Sequence, residues 1–125
     1  MRPGGSRKTV NTEFGKRRPD VVVKFLKAEI RALQWVNNPR NKEEAIRLLL
    51  KWLKVDEPTA RRTYKYLVED LKVFSGNGEV DLEGMQVTVD LLAKSGVIKD
   101  PKPWTAYADL SFLRQAQREL GGKQP

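Results

Sequence analysis

The feature that most constrains this chain is a series of amphipathic helical stripes with no alternating, strand-like segment between them. Between Pro19 and Gly96, large apolar residues recur at steps of three and four, which places them on one face of a helix. Four such stripes follow one another: Val22, Phe25, Leu26, Ile30, Leu33 and Val36; Ala45, Ile46, Leu49, Leu50, Trp52 and Leu53; Ala60, Tyr64, Leu67, Val68 and Leu71; and Leu82, Met85, Val89, Leu92 and Ala93. Helix after helix without a strand predicts an all-α fold.

Capping residues mark where these helices begin. Pro19 suits a first helical turn, because its missing N–H has no intrahelical partner there in any case. Asn41 is a predicted N-cap, with Glu44 in the reciprocal position of a capping box. Asp56 and Asp81 are predicted N-caps of the third and fourth helices.

The predicted organisation is one small bundle of four to five amphipathic helices over residues 18–120, with a tail at 121–125. The fifth helix is short, runs from Leu110 to Leu120 and is capped by Asp109. Residues 1–17 are predicted to form a flexible or extended basic leader. Within that leader, Thr9 to Phe14 is predicted to be a short strand.

The positive charge of the chain is concentrated at its start. The 125 residues carry a formal charge of +8, of which residues 1–18 contribute +5. The six basic groups of that segment are Arg2, Arg7, Lys8, Lys16, Arg17 and Arg18. A basic arm can bind nucleic acid or an anionic membrane surface through its charge, and it is also typical of a solvated tail.

The composition argues against enzyme chemistry. The chain has no histidine and no cysteine, which removes the commonest general base, the commonest metal ligands and the thiol nucleophile. The paired acids Glu43/Glu44 and Glu69/Asp70 are sequence neighbours, and neighbours on a helix do not face each other. We therefore predict no catalytic residues, no cofactor and no enzymatic activity.

Two short motifs have a structural and a functional interpretation. The sequence Gly76-Asn77-Gly78 lacks the lysine and hydroxyl residue of a phosphate-binding loop, so it predicts a turn. Asn77, Glu79, Asp81 and Glu83 alternate oxygen ligands, but they lack the twelve-residue loop of a calcium site. Helix capping by Asp81 explains the same pattern, and we predict no metal site.

Aromatic and basic side chains are the remaining candidates for binding. Trp35 and Trp52 lie at helical stripes, which favours a place in the core, whereas Trp104 follows two prolines and is expected at an edge or interface. Aromatic rings beside Arg and Lys can also stack on bases. A basic face from Arg61, Arg62 and Lys65 with Arg40 and Arg47 is diluted by acids and has no groove-reading motif behind it.

Several segments together carry a family resemblance. They are Arg18–Ala28, Ile30–Ala32 with Trp35, Asn37–Leu49, Val55–Leu71, Gly78–Gln86, Leu91–Lys99 and Tyr107–Leu113. In this order and spacing the chain, from about Thr12 to Leu120, resembles the C-terminal helical part of the periplasmic solute-binding proteins of ABC importers. The nitrate/sulfonate/taurine and thiamine-precursor branch is the most similar.

The resemblance implies a role in solute capture for import. It implies two α/β lobes that close on a solute and deliver it to a membrane permease, and the strand–helix units of those lobes precede this segment in the family. We therefore expect a truncated or split product that does not bind solute alone. No ligand-binding residue is carried over, because the family's main solute contacts lie upstream of this segment.

Three expectations about partners and location follow. Faces that pack on the lobes in the family are expected to be exposed here, which predicts self-association or a missing partner chain. The alternatives are a small basic nucleic-acid-binding protein and a stand-alone helical dimerisation module. The resemblance implies the periplasm, but the chain shows no secretory signal and no membrane span, which predicts a cytoplasmic location if it is expressed as written.

Overall fold

The computed structural model describes residues 8–121, and within that range the regular structure is helical. The α-helices are α1 (Thr12–Arg17), α2 (Pro19–Asn37), α3 (Lys42–Leu53), α4 (Glu57–Tyr64), α5 (Leu82–Lys94) and α6 (Ser111–Glu119). Short 3₁₀ turns lie at Pro39–Asn41 and Trp104–Ala106, and a π-helical segment, Lys65–Asp70, continues α4. The all-α prediction is confirmed, with six helices where four to five were expected.

The additional helix, α1, replaces the predicted strand at Thr9 to Phe14, and that prediction was wrong. The Asn11 side chain accepts a hydrogen bond from the backbone N–H of Phe14 at 3.0 Å and so caps the helix. Glu13 in the first turn and Lys16 in the last turn suit the helix dipole. The described part of the basic leader is therefore largely helical, while residues 1–7 and 122–125 lie outside the described residues.

Two of the four predicted N-caps, Asp56 and Asp81, are confirmed. Asp56 accepts a hydrogen bond from the backbone N–H of Thr59, and Asp81 accepts one from that of Gly84. The N-cap of α6 is Leu110 rather than the predicted Asp109, whose carboxylate accepts from the Ser111 N–H at 2.8 Å one residue ahead of the cap. Asn41 does not cap α3 with its side chain, so the predicted capping box is wrong. The 3₁₀ turn ahead of α3 directs the Asn41 amide backward, where it donates to the Trp35 carbonyl at 2.9 Å.

The first hydrophobic core lies between α2 and α6. Its buried members are Val23, Ile30, Leu113 and Ala116. The turn at Gly78 lies directly on this core: the glycine has φ +76°, and a Cβ there would lie 3.2 Å from Ile30 and 3.3 Å from Leu113. Glycine is required at this turn both for its backbone conformation and for space.

The second hydrophobic core lies between α3 and α4. Its buried members are Ala45, Ile46, Ala60 and Tyr64, with Val36 from the end of α2 packed against them. Helix α5 stands apart from both cores. It buries Val89 and packs mainly against the Trp104–Ala106 turn, where the Trp104 backbone N–H donates to the Gln86 side chain at 3.0 Å.

Candidate docking groove

An apolar groove opens beside the second core. It has a volume of about 210 Å³, and all but one of its lining residues are apolar or aromatic. The lining residues are Trp35, Val36, Ala45, Leu48, Leu49, Thr63, Tyr64, Leu67, Val68 and Phe74. A concave apolar surface of this kind suits an apolar side chain of a partner better than a polar substrate.

The end of α2 and the α3 helix form the two exposed borders of the groove. Trp35 is 37% exposed at the end of α2, and Leu48 is 39% exposed on α3. Trp52, one helical turn beyond Leu48, is 73% exposed. The prediction that Trp35 and Trp52 belong to the core was therefore wrong. The core-facing side of α3 is taken by Ala45 and Ile46 rather than Trp52, and Trp35 lies in the last turn of α2 beside the groove.

Tyr64 forms the floor of the groove. It is 3% exposed, and its hydroxyl donates a hydrogen bond to the Val36 carbonyl at 3.1 Å, which ties α4 to the end of α2. Burial, followed by the nearby Glu69 carboxylate, raises the pKa of this hydroxyl. The Lys42 ammonium lies 5.7 Å from the ring centroid and also pairs with Glu69 at 2.7 Å. The phenol is thus held neutral in a structural role.

The π-helical segment after Tyr64 supplies the far wall of the groove. Its wider turn is visible in the bond from the Leu71 N–H to the Tyr66 carbonyl at 2.9 Å, a five-residue step. The Lys65 to Asp70 ion pair, at 2.8 Å, joins two side chains that are likewise five residues apart. Leu67 and Val68, predicted on the stripe of a continuous α-helix, line the groove from this segment, and Val68 also packs against the second core.

Around the groove the acidic side chains are paired, whereas several basic side chains in the described part of the chain are not. Over residues 39–72 every carboxylate has a partner: Glu43 and Glu57 pair with Arg61, Glu44 with Arg47, Glu69 with Lys42 and Asp70 with Lys65, while Asp56 caps α4. Within the described residues, Arg40, Lys51, Lys54, Arg62 and Lys72 form no salt bridge with a carboxylate. The groove therefore lies in a region of excess positive charge.

The basic cluster predicted from the sequence does not form a single cationic face. The Arg61 guanidinium lies between Glu43 and Glu57, and the hydrogen bonds from Arg61 lower the pKa of Glu43. Lys65 and Arg47 are likewise paired with acids on their own helices.

Three of the four described cations at the start of the chain are engaged within it, whereas Arg17 forms no salt bridge with a described carboxylate. Lys8 pairs with Glu29 at 2.8 Å, Lys16 with Glu13 at 3.3 Å, and Arg18 with Asp20 at 3.2 Å. All three pairs have at least one partly exposed member, so each contributes little to stability. Arg2 and Arg7 lie outside the described residues.

The loop of Asn77 to Glu83 is organised by internal hydrogen bonds. The Gln117 amide donates to the Asn77 carbonyl at 2.9 Å and to Glu79 at 3.1 Å, and Arg114 pairs with Glu79 at 2.6 Å. Asp81 caps α5. These oxygens do not converge on one point, and residues 8–121 hold no group of three acids that could bind a metal ion.

The relative exposure predicted for the three tryptophan side chains is reversed in the structure. Trp104, expected at an edge, is half-buried against α5, whereas Trp35 and Trp52 are the exposed ones. Leu48, which borders the groove, was absent from the predicted stripe. The sequence does place Leu48 on an apolar stripe, because Ala45, Leu48, Leu49 and Trp52 follow the helical spacing. Periodicity alone does not show whether another element of the chain covers that stripe.

No protein-family model, curated protein or solved structure matches this chain. In the part of the chain that the structure describes, no helix is both long enough and apolar enough to cross a bilayer.

Proposed function

We propose that this chain is a non-catalytic helical docking unit of a solute-binding protein for ABC import, and that its groove packs on an α/β lobe. The lobe is supplied by another polypeptide or by another part of a longer chain. The family resemblance supports the class of partner, and it implies a periplasmic site of action. The chain provides packing surface rather than solute contacts.

The observation that carries this proposal is the open groove between Trp35 and Leu48. These two side chains border a cavity of about 210 Å³ next to a buried core, so a core continues to the surface without a covering element among the described residues. Exposed apolar surface of this kind marks a site of interaction. Apolar side chains from a lobe would complete the second core.

A reconstitution experiment tests the proposal. The chain is co-expressed with the two lobes of a taurine-binding protein of an ABC importer from which the C-terminal helical part has been removed. We expect a one-to-one complex that survives about 0.5 M NaCl, because apolar contacts are not screened by salt. We also expect the complex to bind taurine, and the chain alone not to.

Matched leucine variants of α3 make the test specific to the groove. Leu48→Asp places a charge at the border of the groove and is expected to abolish the complex, whereas Leu53→Asp alters a more exposed leucine that does not line it. Loss of binding with both variants, or with neither, would contradict the proposed surface.

The nucleic-acid alternative receives no support from the geometry of the leader. Of its four described cations, Lys8, Lys16 and Arg18 form ion pairs within the chain, which leaves Arg17 alone without a described carboxylate partner. Phosphate contacts would have to compete with those carboxylates.

A further inference from the structure

Helix α5 presents a second apolar surface that lies apart from both cores. Val87 is 44% exposed and Leu91 is 58% exposed, and the two are four residues apart on one face of the helix. Glu83 precedes Val87 by one turn on the same face, and Asp90 is next to Leu91. The exposed face of α5 thus combines two apolar side chains with acidic neighbours.

The charges of α5 and of the groove region are opposite in sign. The charged side chains of α5 itself (Leu82–Lys94) are Glu83, Asp90 and Lys94, a net charge of −1. Residues 39–72, which contain α3, α4 and the π segment, hold nine basic and six acidic side chains, a net charge of +3. Lys51 and Lys54 form no ion pair with a described carboxylate, so their charges can attract an acidic partner, although the Lys51 ammonium also lies 5.5 Å from the centroid of the Trp52 ring.

The exposed face of α5 and the groove have the features of helix-in-groove recognition. Helix-in-groove recognition uses apolar side chains spaced three or four residues apart, inserted into an apolar groove. Val87 and Leu91 have that spacing, and the groove between Trp35 and Leu48 is apolar. Within one chain α5 packs mainly against the Trp104–Ala106 turn, so its exposed face is left for another molecule.

We propose that a second copy of this chain fills the groove with its α5, and that the exchange is reciprocal. Each protomer inserts Val87 and Leu91 beside Leu48 of its partner, which covers both apolar surfaces and closes the assembly as a two-fold dimer. This inference rests on the proposed function to the extent that both use the same groove: the second copy covers the groove when no lobe is bound.

The first experiment is light scattering coupled to size exclusion, with the full chain at about 100 µM, where a micromolar dimer is populated. We expect twice the monomer mass of 14.3 kDa. At about 0.5 M NaCl we expect weaker association, because opposite charges near the groove attract less when screened. Leu48→Asp and Leu91→Asp are each expected to weaken the dimer by about a thousandfold, because each variant homodimer carries the change at both contacts, and so to be mainly monomeric at this concentration, while Leu53→Asp leaves the dimer intact.

The decisive step is to mix the two defective variants. Leu48→Asp has a damaged groove and an intact α5, and Leu91→Asp has the reverse, so a mixture retains one sound contact. We expect a heterodimer in the mixture by sedimentation velocity, although each variant alone is a monomer. Circular dichroism tests whether both variants remain folded. If Leu91→Asp unfolds the chain, Leu91→Ser is the milder replacement.

The outcomes separate this inference from the proposed function. A monomeric wild-type chain overturns the inference, and the lobe reconstitution then still decides the proposed function on its own. A dimer that persists in Leu91→Asp, or a mixture that remains monomeric, also overturns the reciprocal exchange. A dimer with successful mixing but no lobe complex would retain the inference and reject the proposed function.

Discussion

The two hydrophobic cores of this chain are built from similar residues but are completed differently. The α2–α6 core is closed by the Gly78 turn, and Gln117 and Lys27 add polar links across it, to Asn77 and to Glu119. The α3–α4 core opens into a groove bordered by exposed Trp35. The contrast teaches that contacts within the chain complete the first core, whereas the second has apolar surface that a partner can use.

The largest expected effect comes from removing the same side chain from each region. Leu113→Ala removes a leucine that is 7% exposed in the closed core, and we expect a loss of about 2–5 kcal/mol in the free energy of unfolding. Leu48→Ala removes one that is 39% exposed at the groove, and we expect less than about 1 kcal/mol. Urea denaturation of the dilute chain measures both losses. Equal losses would contradict the claim that the first core is closed and the second is open.

Glycine substitutions sharpen the comparison at the closed core. Gly78→Ala combines a left-handed backbone with contacts of 3.2 and 3.3 Å, and we expect a loss of about 2–3 kcal/mol. Gly96 has a similar φ of +77° but no neighbour within 4 Å. Gly96→Ala is therefore the matched control, with an expected loss of about 1 kcal/mol. If the two variants have the same thermal stability, the close contact between the Gly78 turn and the core does not affect stability.

The tyrosine at the floor of the groove should contribute through one hydrogen bond. Tyr64→Phe removes the donor to the Val36 carbonyl, and we expect a loss of about 1 kcal/mol in urea denaturation. Tyr66→Phe is the control, since Tyr66 is 58% exposed and does not line the groove. A Tyr64→Phe variant as stable as the wild type would mean that α4 is not tied to α2 in solution.

A smaller effect, of opposite sign, is expected at the end of α3. Lys54 adopts φ +53°, a left-handed conformation that costs a side-chain-bearing residue roughly 1–2 kcal/mol. Glycine relieves this strain but loses about 0.5–1 kcal/mol of conformational entropy. Lys54→Gly is expected to stabilise the chain slightly, by about 0.5 kcal/mol in thermal unfolding. The same change at Lys51, inside the helix, should destabilise it.

The smallest effect concerns acid sensitivity. Hydrogen bonds from the Thr59 hydroxyl and N–H lower the pKa of Asp56, and those from Ser111 lower the pKa of Asp109. A lowered folded-state pKa contributes stability that is present above the ordinary carboxyl pKa, near 4, and is lost as the pH falls through the folded value. Stability should therefore decline as the pH falls below about 4.

A capping amide isolates the contribution of Asp56 to this decline. Asp56→Asn keeps a good N-cap but cannot titrate. We expect its unfolding free energy to depend less on pH in that window than that of the wild type, with comparable stability at pH 7. An unchanged pH dependence would remove Asp56 from the acid response.

The sequence predicted the helices well because their signals are local. Apolar spacing located α2 to α5, the capping oxygens of Asp56 and Asp81 marked two of the helix starts, and Asp109 indicated α6 to within two residues. The missed α1 depends on a cap at Asn11 and on Gly15 packing against Phe112, nearly one hundred residues away in sequence. Contacts of that range leave no local periodic signal.

The groove could not be predicted for a related reason. A stripe such as that of α3 shows which residues are apolar, but not whether another element covers them. Trp52 lies on the stripe and is nevertheless 73% exposed. The π segment is a second feature that the sequence does not predict, because its wider turn has no distinct sequence pattern here. This turn changes which residues of the Tyr64 stripe face α3.

Hydrogen exchange followed by mass spectrometry tests most directly whether the groove is the docking surface. The chain is measured alone, dilute enough to be monomeric, and then with the lobe pair added in excess. We expect slower exchange in peptides from the end of α2, from α3 and from residues 63–74, with the α2–α6 contact region unchanged. Exchange at the groove that is unaffected by the lobes, or protection confined to α6, would contradict the docking role of the α3–α4 region.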